Sequence, residues 1–207
     1  MFTGIVQGTG KIVGWQKKGA AASIVVEMPQ ALMPGLAKGA SIAINGACLT
    51  VTHFEETLVA FDLLEETLNR TNLKYLSPGI IVNIERAAKF GDEIGGHLLS
   101  GHIIATAKMV SFQRESHQCK AELQVEPQWA KYLFAKGYVA LDGISLTIVD
   151  TQPNGIFSVH LIPETMARTN IGLQQLPEVN IEIDANTQAI VDTLERLQSQ
   201  RTIKDVS

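Results

Sequence analysis

Asn45-Gly46-Ala47-Cys48-Leu49-Thr50 is followed about a hundred residues later by Asp142-Gly143-Ile144-Ser145-Leu146-Thr147. The echo extends in both directions. Glu66-Thr67 and Arg70-Thr71-Asn72 return as Glu164-Thr165 and Arg168-Thr169-Asn170, and Asn83-Ile84-Glu85 returns as Asn180-Ile181-Glu182. Gly4, Val6, Thr9, Lys11 and Val13 are matched by Gly101, Ile103, Thr106, Lys108 and Val110. A repeat of this length is a duplicated domain, not a short solenoid unit. Two copies of one pocket imply a protein that holds two similar ligands.

A chain of 207 residues allows one large or two small domains, and the repeat decides for two. Each copy is long enough to bury its own core. A hydrophobic fraction of 45% with 18% charged residues is that of a globular enzyme, not a disordered chain. The net charge of −4 argues against a nucleic-acid partner, which favours a basic face. The cysteines, Cys48 and Cys119, occupy non-equivalent places in the repeat and no Cys-x-x-Cys occurs, so neither a disulfide framework nor a zinc site is expected. The start, Met1-Phe2-Thr3-Gly4-Ile5-Val6, lacks a basic segment followed by an apolar core. The uncharged stretch 39–54 is broken by Asn, Gly, Ser and Thr and falls short of a membrane span. A soluble, cytoplasmic chain with no membrane partner is expected.

Most segments read as short strands. Runs at 23–28, 41–44, 49–52, 58–63 and 80–85 are β-branched or alternate in polarity, with turns marked by Gly46 and Pro78-Gly79. The second copy offers runs at 103–110, 121–125, 138–141, 146–149, 157–161 and 179–183. Such a density of short strands without long intervening helices predicts a small antiparallel barrel per copy. Short helices fit at 29–36, 65–71, 128–136 and 164–169. The glycines and charges of 87–96 read as a hinge between domains. The tail from Asn186 has no counterpart in the first copy. There Ile190, Leu194 and Leu197 share a helical face with Val191 beside it, and Asp184 or Asn186 can cap the helix start. The helix either packs on its own barrel or pairs between subunits, since about three turns need a partner surface to be stable.

Few motifs carry chemistry by themselves. Gly4, Gly8 and Gly10 lack phosphate-loop spacing and read as turns and points of close approach. A lone cysteine is usually a small buried hydrophobe. Yet Cys48 is equivalent to Ser145, and Thr50 and Thr147 add a hydroxyl two residues on, which in a strand lies on the same face. Two copies of a small polar pair look like ligand contacts. His102 stands where the first copy has Ile5, and an imidazole can move protons near neutral pH. His53, His97, His117 and His160 have no comparable context, and no metal-ligand spacing occurs. Glu66-Thr67 and Glu164-Thr165 could meet ligand hydroxyls or cap helices, and the Arg four residues after each Glu is equally explained as a helical ion pair.

Met1-Phe2-Thr3-Gly4-Ile5-Val6-Gln7-Gly8, the two tracts quoted first, residues 90–102 and Leu161-Ile162-Pro163-Glu164-Thr165 together resemble riboflavin synthase of the alpha-chain type, the lumazine-binding repeat family. The likeness spans nearly all of residues 1–197. It implies an all-β fold of tandem six-stranded antiparallel Greek-key barrels at 1–90 and 97–185, with a C-terminal α-helix and tail at 186–207 that hold a homotrimer. It implies dismutation of two 6,7-dimethyl-8-ribityllumazine molecules into riboflavin and 5-amino-6-ribitylaminouracil, with no cofactor and no metal. The site would lie between the first barrel of one subunit and the second barrel of a neighbour, and association with lumazine synthase is a further partner of this kind. Carried onto this chain, the first barrel contributes Gly4, Ile5, Val6, Cys48, Leu49, Thr50, Asp62, Leu63, Leu64, Glu65, Glu66 and Thr67. The second contributes Gly101, His102, Ile103, Lys136, Ser145, Leu146, Thr147, Ile162, Pro163, Glu164 and Thr165. Ser41 and Asp184 also match positions of interest. His102, Ser145 and Thr147 are expected to move protons or activate a nucleophile, while Cys48 and Thr50 position the other lumazine. Some members have Cys-Cys where this chain has Ala47-Cys48. Two rival functions are a lumazine- or flavin-binding module without turnover and a flavin reductase-like barrel, the latter lacking any visible nicotinamide site.

Overall fold

The structure, a computed structural model, describes residues 1–115 and 117–204, with side chains as far as Gln200. Residues 205–207 of the expected tail lie outside the described residues. Strands β1 (Gly8–Lys18), β2 (Ala21–Glu27), β3 (Ser41–Ile44), β4 (Ala47–Glu55), β5 (Leu58–Leu63) and β6 (Ile81–Arg86) form one closed antiparallel barrel in the order β1-β2-β5-β4-β3-β6. Strands β7 (Ala105–Arg114), β8 (Cys119–Gln124), β9 (Tyr138–Leu141), β10 (Ile144–Thr151), β11 (Ile156–Leu161) and β12 (Val179–Ile183) repeat that order in a second. Even the irregularities recur. Register shifts at Ile12/Gly14 and Val51/His53 return at Met109/Ser111 and Ile148/Asp150. Such bulges sharpen the bend that lets a short sheet close on itself.

Alternation explains the cores. In β2, Ala22, Ile24 and Val26 point inward with half-buried residues between them. Ile24 and Val26 meet Ile12, Ile44, Val59, Phe61 and Ile84 in the first core, while Leu123, Leu141, Ile148, Phe157 and Val159 centre the second. Gly8 and Gly10, read as turns, lie within β1. A methyl on Gly10 would stand 2.8 Å from the Glu27 carbonyl oxygen, so the close approach is real and the turn is not. The helix expected at 29–36 is a single 3-10 turn at Gln30–Leu32, and the one expected at 128–136 is a 3-10 turn at Pro127–Tyr132. Helices α1 (Glu65–Arg70) and α2 (Pro163–Arg168) sit after β5 and β11.

The hairpins β3–β4 and β9–β10 turn on two residues each, Asn45-Gly46 and Asp142-Gly143. All four have positive φ, 45° and 79° in both turns. That is the requirement of the mirror-image turns whose twist matches antiparallel strands, and Asn-Gly and Asp-Gly meet it best. The two tips touch. A methyl on Gly46 would stand 2.6 Å from the Gly143 amide nitrogen.

Around this contact the repeated asparagines cross over. Asn72 donates its main-chain N–H to Asn180 Oδ1 (2.6 Å) and its Nδ2 to Asp142 Oδ1 (2.8 Å) in the other barrel. Asn170 donates its main-chain N–H to Asn83 Oδ1 (2.8 Å) and its Nδ2 to Asn45 Oδ1 (3.1 Å) in return. Asn83 Nδ2 donates to Asp142 O and Asn180 Nδ2 to Asn45 O. Residues 87–96 are therefore not a hinge: two barrels locked by buried bonds have no independent orientation. Deleting one partner of such a bond costs about 1–3 kcal/mol because the other is left buried and unpaired.

Helix α3 (Ala185–Lys204) begins at Asp184, whose Oδ2 accepts from Thr187 N–H and Oγ1–H, both at 2.8 Å. It lies on its own barrel through Val191, with Tyr132 donating to Asp192 and Lys131 paired to Glu195. Ile190, Leu194 and Leu197 remain 61%, 54% and 49% exposed on another face.

The network is not symmetric, because Asp142 stands opposite Asn45. Burial pushes the Asp142 carboxyl from its ordinary 3.8 up to about 7, against hydrogen bonds from Asn180 and Asn72 that favour the charge. A raised carboxyl pKa means the folded state holds the proton more tightly than the unfolded chain. Stability from the neutral form is complete below about pH 4 and is lost as pH rises through about 7. Asp142→Asn, which keeps the accepting oxygen and cannot ionise, is expected to unfold at a urea concentration that pulls ahead of the parent's as pH rises from about 5 to 8. A constant difference across that range would show Asp142 does not titrate there.

Candidate ligand sites at the barrel mouths

Each repeat begins with a short arm, and the arms are exchanged. Phe2 and Leu99 pair main chain to main chain at 2.8 and 2.9 Å, and Phe2 is buried with Ala43 of the first barrel and Ala140 of the second. Beyond this bridge the chain from residue 3 runs to the second barrel, and that from residue 100 runs to the first. Gly4 O accepts from Ser145 N–H at 2.8 Å, and Gly101 O accepts from Cys48 N–H at 2.9 Å. Val6 joins the second core, whereas Ile103 packs on the first. The expected partition, Gly4, Ile5 and Val6 with Cys48 and Gly101, His102 and Ile103 with Ser145, is thus reversed within the chain.

A buried carboxylate fixes each arm. Glu85 accepts from Thr3 N–H, Thr3 Oγ1–H and Gly4 N–H at 2.6, 2.9 and 3.1 Å. Glu182 accepts from Ser100 N–H, Ser100 Oγ–H and Gly101 N–H at 2.6, 2.7 and 3.0 Å. Burial raises both carboxyl pKa values and these bonds oppose it. Positive φ at Gly4 (74°) and Gly101 (80°) then turns each arm onto its strand.

At the first mouth a cavity of about 410 Å³ is lined by Cys48, Glu66, Thr67, Arg70, Gly101, His102 and Ile103, among others. Glu66 holds Arg70 at 2.8 Å, so the helical ion pair forms as well as the ligand wall. Cys48 is half-buried, and His102 is exposed with its main-chain N–H on Ser100 Oγ. Leu49 and Leu63 send their side chains into the barrel core instead. Ser41 pairs with Thr50 across β3–β4, and Thr50, Leu64 and Glu65 are exposed. Asp62 is turned to Ser23 Oγ and Lys18.

At the second mouth Ser145 is half-buried, Thr147 exposed and Leu146 part of the core. Lys136, exposed and at φ 69°, donates its main-chain N–H to Ile148 O next to Thr147. Ile5 is exposed near the arm, Ile162, Pro163 and Glu164 are exposed at the start of α2, and Thr165 is half-buried. Glu164 pairs with Arg168. The residue the sequence reading passed over is His97. It is only 7% exposed, with Nδ1 2.7 Å from Ser145 Oγ and its ring stacked on Tyr138 at 5.1 Å. Burial lowers its pKa, and Asp184 pulls the other way. His97 precedes the start of the second copy, so comparison of the copies pairs it with nothing. The signal available was Gly95-Gly96 before it, read only as linker. Among the described residues no three His, Cys, Asp or Glu side chains converge as metal ligands. No described helix is long and apolar enough to cross a membrane.

Two barrels of one topology, each mouth closed by the other repeat's arm and carrying a thiol or hydroxyl on the same strand position, define a duplicated β-barrel protein with paired ligand sites. The sequence profile of the lumazine binding domain matches residues 3–87 and again residues 100–184, and the chain belongs to that family. It is 50% identical over 203 residues to riboflavin synthase of Escherichia coli strain K12, covering 97% of this chain and 95% of that one. It is 40% identical over 198 residues to riboflavin synthase of Chlamydia pneumoniae, covering 95% and 96%. Its fold superposes on the crystal structure of LumP complexed with riboflavin with a TM-score of 0.83 at 25% identity, covering 89% of this chain and 100% of the other.

A methyl on Gly101 would stand 2.5 Å from Cys48 Cβ, at a φ that side chains rarely adopt. Gly101→Ala is expected to lower unfolding stability by about 1–3 kcal/mol and to displace His102 from the first mouth. Unchanged urea unfolding and an unshifted His102 resonance would count against the arm as a tight wall of the site.

Proposed function

We propose that this chain is a riboflavin synthase, taking two molecules of 6,7-dimethyl-8-ribityllumazine and transferring a four-carbon unit between them to give riboflavin and 5-amino-6-ribitylaminouracil. The observation that carries this reading is the pair of arm-closed mouths, alike in build and different where chemistry must differ. Cys48 faces the cavity with His102, whereas Ser145 faces its mouth with His97 behind it.

The reaction needs a proton removed from the C7 methyl of one lumazine, addition at C7 of the other, and a face-to-face pose. The methyl is acidic because its carbanion spreads into the ring. Holding the two rings in register supplies the largest share, roughly 7–11 kcal/mol in the best oriented cases. Each lumazine occupies one mouth, the first barrel of one subunit facing the second barrel of its neighbour. His102, on the arm held by Glu182, stands at the rim of the first mouth. From there it can reach a lumazine seated against Ser145 and Thr147 of the facing subunit and exchange protons with it. Cys48, Thr50 and Ser41 position the first lumazine. Glu66, Thr67, Glu164 and Thr165 offer acceptors and donors of the kind a ribityl chain requires, and Lys136 adds a positive charge beside Thr147.

The trimer rests on α3. Val191, Asp192 and Glu195 tie the helix to its own barrel, which leaves Ile190, Leu194 and Leu197 free to pack against neighbouring subunits. The setting is the cytoplasm, and lumazine synthase, which makes the substrate, is a fitting associate.

Purified protein incubated with the lumazine alone is expected to consume two lumazines for each riboflavin formed, followed by absorbance and chromatography. Tight binding with no change over hours would instead identify a binding module without turnover. Leu194→Asp is expected to sediment as a monomer with the far-ultraviolet spectrum of the folded chain and with little activity. A variant that stays trimeric would remove this helix face from assembly.

A further inference from the structure

Ser145 is held from three sides. Its main-chain N–H is bound by Gly4 O. Methyl groups on Gly4 and Gly96 would stand 2.5 and 2.7 Å from its Cβ, so only glycines allow the arm and the linker to press so close. The third side is His97, whose Nδ1 lies 2.7 Å from Oγ. At Cys48 the main-chain N–H is bound in the same way by Gly101 O, but among the described residues no histidine is hydrogen-bonded to the thiol.

The hydrogen bond has two possible directions, and the rest of the ring chooses between them. Burial keeps the imidazole neutral, so one nitrogen carries a proton and the other a lone pair. Nε2 is enclosed and meets no hydrogen-bond partner among the described residues. A buried N–H without an acceptor is rarer and costlier than an unused lone pair. The proton therefore sits on Nδ1, which donates to Ser145 Oγ. Oγ is then an acceptor toward His97, and its own hydrogen is left to donate into the mouth.

We propose that His97 is a positioning residue that commits Ser145 to donating a hydrogen bond to the heteroaromatic ring of the bound lumazine, so that the second mouth holds the molecule that loses its C7-methyl proton. The proposal rests on the riboflavin synthase reading. In that step the methyl C–H bond breaks, its electron pair spreads onto the ring nitrogens and carbonyl oxygens, and the proton passes to the imidazole of His102 reaching in from the facing subunit. An O–H donor fixed in advance gains strength as that charge develops and needs no rearrangement. The thiol at the equivalent place, Cys48, is a weak donor, which suits the molecule that is attacked rather than ionised. Tyr138 and Asp184 are the other groups facing the ring. The stacked tyrosine fixes its plane, and the carboxylate, taken up with capping α3, biases its charge without accepting its proton.

The tautomer is measurable without substrate. In the full chain labelled with nitrogen-15 histidine, and assigned by loss of signals in His97→Gln, Nδ1 is expected to be protonated and Nε2 bare. The opposite tautomer overturns the proposal whatever the enzyme does. The second measurement is the ionisation of bound 6,7-dimethyl-8-ribityllumazine, read by stopped-flow absorbance before turnover. Ser145→Ala and His97→Phe are expected to raise its apparent pKa by about one to two units, a roughly ten- to hundredfold loss of the anion near neutrality. His97→Gln, whose amide can still donate to Oγ, is expected to restore most of it. Identical titrations in all four proteins overturn the proposal. Failure of every variant, parent included, to bind the lumazine overturns the functional reading beneath it and leaves the tautomer result standing.

Discussion

Two glycines in contact govern this molecule. Gly46 and Gly143 meet at the tips of matching hairpins, too close for any side chain on either. The turn and the contact impose the same residue for different reasons, one by φ and the other by space. Once the tips touch, Asn45 and Asp142 lie beside the opposite barrel. Their oxygens accept from the Nδ2 groups of Asn170 and Asn72, whose main-chain N–H groups go to Asn83 and Asn180. Each of these buried side chains makes at least one bond that only this register and angle allow, although Asn45 Nδ2, Asn72 Oδ1 and Asn170 Oδ1 meet no partner among the described residues. The mouths inherit that rigidity. Cys48 and Ser145 follow the tips by two residues on the outward face of their strands, and their placement relative to each other is set by the hairpins.

Much of this was legible before any coordinates. The repeat, the strand runs at 41–44, 58–63, 138–141 and 179–183 and the short helices carrying each Glu-Thr were visible because their signals are local: alternation, turn residues, charge spacing. What could not be read was which copy each segment serves. The likeness of Asn72 to Asn170 or of Gly4 to Gly101 says that two places are equivalent, and says nothing of whether each acts at home or across the boundary. Here both act across it. The same limit explains the reading of 87–96 as a hinge, since Gly96 serves close packing at Ser145 and Gly95 lies against Ile5, while Gly91 alone turns at positive φ. His97 stayed hidden for a further reason, having no counterpart to differ from.

Among the many differences between the copies, four bear on protons. Asp142 replaces Asn45 in the buried network, Ser145 replaces Cys48, His102 replaces Ile5, and His97 replaces nothing. Each places a group that can hold or shift a proton on a barrel whose strand order is the same twice. A duplicated barrel that binds one compound in two places needs little more than this to treat the two bound molecules differently.

The exchanged arms also bear on how such a chain could arise. A solitary repeat would have its own arm pointing away from its own mouth, and could complete that mouth only with the arm of a second copy related by a true two-fold axis. Joining two repeats through residues 87–96 turns that encounter between molecules into one within a molecule, where the effective concentration is on the millimolar scale or above. With both arms on a single chain, the two mouths are no longer bound to be identical, and one can acquire a histidine without the other.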